Sequence, residues 1–480
     1  MSALTQSAYY AVGIIMMKGV SLMMIPYLTR KLSLSEYGSL EALLLLADIG
    51  TIVFSFGLVN AMYRYVGTAK GEEKRTLISN CFSLSAIFCV LGALLLIATV
   101  PLFVTLLPVA VSEYQILLLA VPTLLDGLIT IPLTLMRMNE LAKRFCVLNV
   151  GKALGQAFLT FVLLELGYGI DAVLISGAVS SSLLLLCLFG YQWQQMRRFG
   201  YLKHSKMLLQ FSLPTLAGFL SMYMITGLDR WLLASYVGVE ELAVYAIAVK
   251  FALILGLVLQ PYSLWWFPNR ISLLQQPDGK QICADKAMLG TNLGIFFGLG
   301  MILTVPGFIA FALPESYQLS STIVVALLAI NIIKNAGDYL NLGCYSGDSS
   351  QAQMWIQGIC AVVATAGYFI FVPIYGLWGV VAVLGNAYTM RLLLLYSVSQ
   401  SMEYLPYNHS KWILSTMLSV VAWGVYQWLV KLLPAVPEIV MGTGVGLGVS
   451  VAFIYLKILP VPEALLCKLS LKKPSSKSVA

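Results

Sequence analysis

The sequence predicts an all-α polytopic membrane protein with about fourteen transmembrane helices, and three observations predict it. Hydrophobic residues make up 59% of the 480 residues and charged ones only 10%, against about a quarter charged in soluble globular proteins. A chain so poor in charge cannot cover a water-facing surface, so lipid must be its main solvent. Its apolar runs approach the ~20 residues a helix needs to cross a bilayer, and they are too long and too uniform for the alternating ~10-residue strands of a membrane barrel. Its basic residues gather in alternate loops, the orientation signal of a multi-span chain.

Charged or Gly/Pro-rich breaks delimit the spans. The first six are 9–28, 38–61, 77–99, 113–136, 146–167 and 170–190. Six more cover 208–227, 242–263, 288–311, 319–341, 354–373 and 375–397, and a last pair 411–432 and 438–457. The N-terminus runs directly into the first span with no small-residue cleavage site after it, so no cleavable signal peptide is expected. Of the 29 Lys and Arg, 21 fall in one set of loops and the tail, including Arg64, Arg137, Arg270, Arg391 and Lys411. Only four, Arg30, Lys31, Arg230 and Lys431, fall on the other side. The asymmetry places both termini in the cytoplasm. It also accounts for the formal charge of +8 without nucleic acid, for which basic patches interleaved with aromatics would be needed.

Four cations remain inside spans: Lys18, Lys152, Lys250 and Lys334. Each costs about 2.5–3.5 kcal/mol at mid-bilayer on insertion scales. Either acids such as Glu41, Asp48, Asp126, Glu165 and Asp338 neutralise them in interhelical pairs, or the lysines line a wet cavity and bind an anion. Glu41 and Asp48, seven residues apart and so near one face of a helix, and Asp126, beside Pro122, are candidates for H+ or Na+ coupling as well as for charge balance. A drug-cation exporter would want net acidic charge at mid-depth; an anion carrier wants these lysines.

Other motifs fall to plainer readings. The eight cysteines are scattered, no C-x-x-C pair exists, and the two histidines are His204 and His409, so no metal is expected. Gly442-x-Gly444-x-Gly446-x-Gly448 lacks a following Gly-Lys-Ser/Thr, so no nucleotide or other cofactor is expected. Gly290-x-x-x-Gly294-x-x-x-Gly298 and Gly151-x-x-x-Gly155 read as close helix packing. The tail, with Lys468 to Lys477 and Pro474, reads as a basic cytoplasmic end near anionic lipid headgroups.

The chain also repeats itself. Pro26–Ile49, PYLTRKLSLSEYGSLEALLLLADI, lies without a gap over Trp231–Ile254, WLLASYVGVEELAVYAIAVKFALI. A six-span unit returns the second copy in the same orientation, which implies parallel repeats about an axis along the membrane normal. The expected domains are a six-helix lobe at 1–206, a second at 207–400, an additional helix pair at 401–460 and a cytoplasmic tail at 461–480.

At these connectors, Gly19–Asp48 with its "-EYG" step and Gly227–Lys250, GLDRWLLASYVGVEELAVYAIAVK, the sequence resembles the polysaccharide-exporter branch of the multidrug/oligosaccharidyl-lipid/polysaccharide flippase superfamily. The resemblance covers about residues 1–400. It implies a V-shaped, two-lobe transporter of the bacterial inner membrane, not an enzyme, that flips polyprenyl-diphosphate-linked oligosaccharides by alternating access. The family supplies such units to a periplasmic polymerase in O-antigen or capsule synthesis. On that reading Lys18, Lys250, Lys152, Arg64 and Lys334 form the cationic substrate site. Two features depart from the pattern: Gly238 stands opposite Ser33, and fourteen spans exceed the twelve of many O-antigen flippases while equalling the lipid II flippases. A cation-coupled multidrug antiporter of the same fold is the alternative. A membrane glycosyltransferase or polymerase would need a large outward loop, and the outward loops here are short.

Overall fold

Apolar helices with few interior breaks build the whole described chain. The computed structural model describes residues 3–109, 111–345 and 351–459, so the predicted tail lies outside the described residues. The helices are α1 Ala3–Lys31, α2 Leu34–Ser55, α3 Leu58–Ala61, a π-helical turn Met62–Val66, α4 Gly71–Leu106, α5 Glu113–Met138, α6 Ala142–Glu165, α7 Ile170–Gln195 and α8 Ser205–Thr226. They continue as α9 Leu228–Tyr236, α10 Val239–Ala252, α11 Ile254–Leu274, α12 Gly279–Ala312, α13 Leu319–Tyr339, α14 Gln351–Met402, α15 His409–Leu432 and α16 Glu438–Tyr455. Thirteen stretches are long and apolar enough to cross a membrane. One of them, α14, is two helices joined at Gly376 (φ 55°, ψ −131°), which makes fourteen spans.

The helices outrun the apolar runs. Hydropathy marks only the part that lipid touches, whereas backbone hydrogen bonds carry α4 and α12 on into polar flanks. Span two shows the opposite effect. It stops at Ser55, because Phe56 (φ 50°) and Gly57 (φ 65°) are both left-handed, and α3 and the π turn then complete the crossing.

Two compact units emerge from the packing: residues 1–247 with 364–380, and residues 248–363 with 381–480. In the first unit, α1 packs on α6, and α5 on α4 and α7. At one end of this unit the π turn and its neighbours close over a core of Leu58, Met62, Leu77, Cys81, Leu135 and Leu208. Near the opposite end of span two the repeat segments touch: a Cβ on Gly38 of α2 would strike the carbonyl oxygen of Val239 at the start of α10. Ser33 caps α2 through a reciprocal capping box with Glu36. Its counterpart Gly238 sits at φ 129°, where a side chain would be strained, so the departure at 238 is a backbone requirement. Tyr368 joins this unit by donating its hydroxyl to the Ile225 carbonyl at 3.1 Å.

In the second unit, the glycine stripe of α12 does what its spacing implies. Gly290 lies under Tyr339, Gly294 under Asn335 and Gly298 under Ile332, letting α13 approach closely. The final pair packs on the same helix: the Ser415 hydroxyl donates to Asn292 Oδ1 at 2.9 Å, and Gly442 lets α16 reach the Leu303 carbonyl. Gly151 and Gly155 face nothing within 4 Å, so the packing expected of them is absent among the described residues.

Candidate functional site

Where a charged side chain sits in a membrane helix depends on the register of its neighbours, and in the first unit that register is fixed. At the C-terminal end of α1, Lys31 bridges Glu165 of α6 at 2.8 Å, and the Tyr27 hydroxyl donates to the same carboxylate at 2.7 Å. Further back along α1, the Tyr27 and Phe161 rings are 5.1 Å apart, and Gly13 lies against Cys146. These contacts pair residues of α1 with residues some 134 positions later. The two helices therefore run parallel without slippage. Lys18 and Lys152 share the same offset, so they lie level, about 20 Å from the Lys31–Glu165 bridge at 1.5 Å per residue.

Level is not the same as paired. Lys152 is half-buried and lies within electrostatic range of Asp126 on α5, which also accepts at 3.3 Å from the Thr130 hydroxyl. Lys18 is exposed, and no ion pair or hydrogen bond engages it among the described residues. A free ammonium at this depth in hydrocarbon would cost about 2.5–3.5 kcal/mol, and nothing described in the chain offsets that.

The remaining expected residues divide similarly. Arg64 lies in the π turn, exposed, its guanidinium 4.8 Å over the Phe211 ring and 5.6 Å over Tyr65. Lys250, half-buried in the last turn of α10, is engaged by other groups and is not a free charge. Lys334 of α13 stands four residues before Asp338, yet that carboxylate goes instead to Arg391 at 2.8 Å. Glu41 is buried and Asp48, on nearly the same face of α2, is exposed, and other groups engage both.

Three arginines counted as loop residues belong to the interior, the first being Arg270, 8% exposed within α11 and donating to Asn341 Oδ1 at 3.0 Å. Arg391 lies within α14, 7% exposed, donating to Asp338 and, at 2.9 Å, to Gln357 Oε1. Arg230 lies in α9 next to buried Asp229, whose carboxylate accepts at 2.8 Å from the Tyr245 hydroxyl. Arg230 itself donates to the Thr226 carbonyl at 2.9 Å. A charge count along the chain cannot separate a cation at a span end from one buried a few turns inside.

The second unit adds a feature that the sequence reading missed. A groove of about 500 Å³ runs between α12, α13 and α15, lined by Leu299, Ile302, Val325, Ala329, Ile333 and Trp423 among others. Its lining on α13 extends from Thr322 to Ala336, about 21 Å of helix at 1.5 Å per residue. Small residues on α13 opposite bulky ones on α12 and α15 were the signal available for it.

Residues 3–272, more than half of the chain, match the family model described as polysaccharide biosynthesis protein. No curated protein matches the chain by sequence. Among solved structures, the fold is similar to that of the lipid II flippase MurJ in an inward closed conformation. The TM-score is 0.74 at 15% identity, over 95% of this chain and 100% of that one. It is also similar to an inward-facing multidrug resistance MATE family transporter of the MOP superfamily, with TM-score 0.56 and 15% identity over 82% and 97% of the two chains. An outward-facing conformation of a multidrug resistance MATE family transporter gives TM-score 0.52 and 15% identity over 82% and 95%. At such identities the likeness is one of fold.

Proposed function

Because the chain belongs to the polysaccharide biosynthesis protein family, we propose that it flips a polyprenyl-diphosphate-linked oligosaccharide across the bacterial inner membrane by alternating access, both termini being cytoplasmic. The observation that carries this reading is Lys18, a mid-span cation with no partner among the described residues. A diphosphate crossing a bilayer needs such a charge, because ammonium contacts replace part of the water it leaves behind. The groove of the second unit independently suits a lipid-linked cargo. It is long, aliphatic and at membrane depth, which suits an isoprenoid chain better than a compact drug. An O-antigen or capsule unit is the glycan we favour, with a polysaccharide polymerase as the downstream partner.

The rival is a cation-coupled drug antiporter, favoured by the carboxylates Glu41 and Asp48 of α2. Purified protein in liposomes separates the two. An externally labelled polyprenyl-diphosphate sugar should become accessible on the opposite leaflet, and Lys18→Ala should slow this at least tenfold. A protein that moves a cationic dye down a counter-gradient of H+ or Na+ but leaves the lipid in place overturns the flippase reading.

A further inference from the structure

The end of the first unit that the proposed orientation places at the cytoplasm holds a second cluster, whose chemistry differs from that of the lysine level. The break at Phe56–Gly57 releases the chain into the π turn Met62–Val66, a form common where helices do functional work. Its consecutive residues serve different neighbours. Arg64 lies over Phe211, whereas Tyr63, 45% exposed, has the Arg137 guanidinium 5.9 Å from its ring. Arg137, at the end of α5, is also 5.7 Å from the Phe145 ring and donates to the Thr134 hydroxyl at 3.1 Å. Neither arginine has a carboxylate within ion-pair distance among the described residues, and both are exposed.

A guanidinium lying over rings has its face occupied and its edge left for donation, of which Arg137 gives one N–H to Thr134. That edge, a planar fork of N–H donors, is the part that grips phosphate oxygens in pairs. Beside it, the Tyr10 hydroxyl of α1 is enclosed, has no hydrogen-bond partner among the described residues and lies within electrostatic range of Arg137, while its ring meets Phe145 at 5.4 Å. The cluster thus holds two arginines outside any ion pair among the described residues, an exposed aromatic face and an unused hydroxyl on which both Arg137 and Glu140 act.

Register places the cluster directly below the lysines. Tyr10 is eight residues before Lys18 on α1, and Phe145 is seven before Lys152 on α6, which makes about 10–12 Å at 1.5 Å per residue. We propose that Arg137, Arg64 and Tyr63 form a capture site for the diphosphate-sugar headgroup of a lipid substrate at the cytoplasmic surface, one step below the Lys18–Lys152 level. The inference rests on the flippase reading, and it adds to that reading where the headgroup first binds and which atoms read it. The guanidinium edges take the diphosphate, and the Tyr63 ring lies against the first sugar. The basic loops around it, with Lys70, Lys74, Lys143 and Arg144, raise the local concentration of anionic headgroups.

The test uses the full chain in detergent micelles with polyprenyl diphosphate as the probe, polyprenyl monophosphate for comparison and phosphatidylglycerol as competitor. Wild type should bind the diphosphate more tightly than the monophosphate. The Arg64→Gln/Arg137→Gln double variant should weaken diphosphate binding about 100- to 10,000-fold, since two charge-assisted contacts are lost. Arg64→Lys/Arg137→Lys keeps the charge and loses the fork, so it should fall between the two, and it decides the matter if the glutamine variant fails to fold. Diphosphate binding by both variants equal to wild type overturns the capture site and leaves the flippase reading standing. Displacement of the diphosphate by an equal concentration of phosphatidylglycerol marks a general lipid-headgroup site and also overturns it. Failure of wild type to bind the diphosphate at all removes the flippase reading and the capture site with it.

Discussion

Lys18 and Lys152 lie at one level on two helices in fixed register, yet replacing them should have opposite consequences. Lys18 is exposed and has no described partner, so Lys18→Ala deletes no packing and strands no acid. Folded protein in the membrane should stay within the few tenths of a kcal/mol typical of uninvolved sites. Transport is another matter. One charge-assisted contact to a phosphate is worth about 1.5–3 kcal/mol, and 1.4 kcal/mol is tenfold, so flipping should slow about 10- to 150-fold. Lys18→Arg should be partly tolerated, because charge matters more than fork geometry at a point-charge site. Lys152→Ala instead leaves Asp126 half-buried without its neighbouring cation, which should lower the amount of folded protein before any question of transport arises. Immunoblots of the membrane fraction, read beside leaflet exchange of a labelled lipid-linked sugar in liposomes, separate abundance from activity. Normal exchange by Lys18→Ala would refute the reasoning. So would a loss of abundance equal to that of Lys152→Ala, since it would mean that Lys18 has a structural partner after all.

Other expectations concern the buried pairs and the groove. Asp338→Ala strands Arg391, 7% exposed and bonded at 2.8 Å; breaking one side of a buried pair costs about 3–5 kcal/mol. Thermal unfolding in detergent should shift sharply downward, and Asp338→Ala/Arg391→Met should recover most of the loss. Tyr245→Phe removes a fully enclosed 2.8 Å donor to Asp229, worth about 1.5–3 kcal/mol for a bond to a charged group. The unfolding midpoint should fall without a change in helix content by circular dichroism. Ala329→Trp fills part of the groove on α13; flipping of a long polyprenyl substrate should drop while membrane abundance stays near wild type, and a short-chain analogue should be less affected.

Composition and periodicity carried the fold because lipid imposes a strong filter on sequence. Every span must satisfy its own backbone, so apolar length alone counts the helices, and the glycine stripe of α12 could be read as a packing surface before α13 was known to cover it. Helix interruptions were less legible. Phe56 and Gly57 end α2 inside what reads as one apolar run, since hydropathy averages over residues and is blind to φ. Gly151 and Gly155 carry the same spacing as the α12 stripe, yet they face open space, because small residues permit close approach without demanding it. Arg137 could have been noticed beside Tyr63 only by knowing that the π turn of span two meets the end of α5.

The division between paired and free charges was the least legible part, and it bears most on mechanism. Pairing depends on differences of a few ångströms between helices, whereas residue order specifies only positions along each one. Asp126 and Lys152 are within range because α5 and α6 bring the two residues to one depth; Lys18, at that same depth, has no described acid beside it. A membrane protein retains an uncompensated charge only where water or a ligand meets it, since hydrocarbon imposes the full desolvation cost. Around Arg230 acids gather: Asp229, Glu41 and Asp48 all act electrostatically on that one guanidinium, and Glu41 and Asp48 are engaged by other groups as well. Ion coupling at Glu41 and Asp48 would therefore act through groups that already engage them, and a Glu41→Gln/Asp48→Asn variant with full transport under an intact ion gradient would show both acids to be structural.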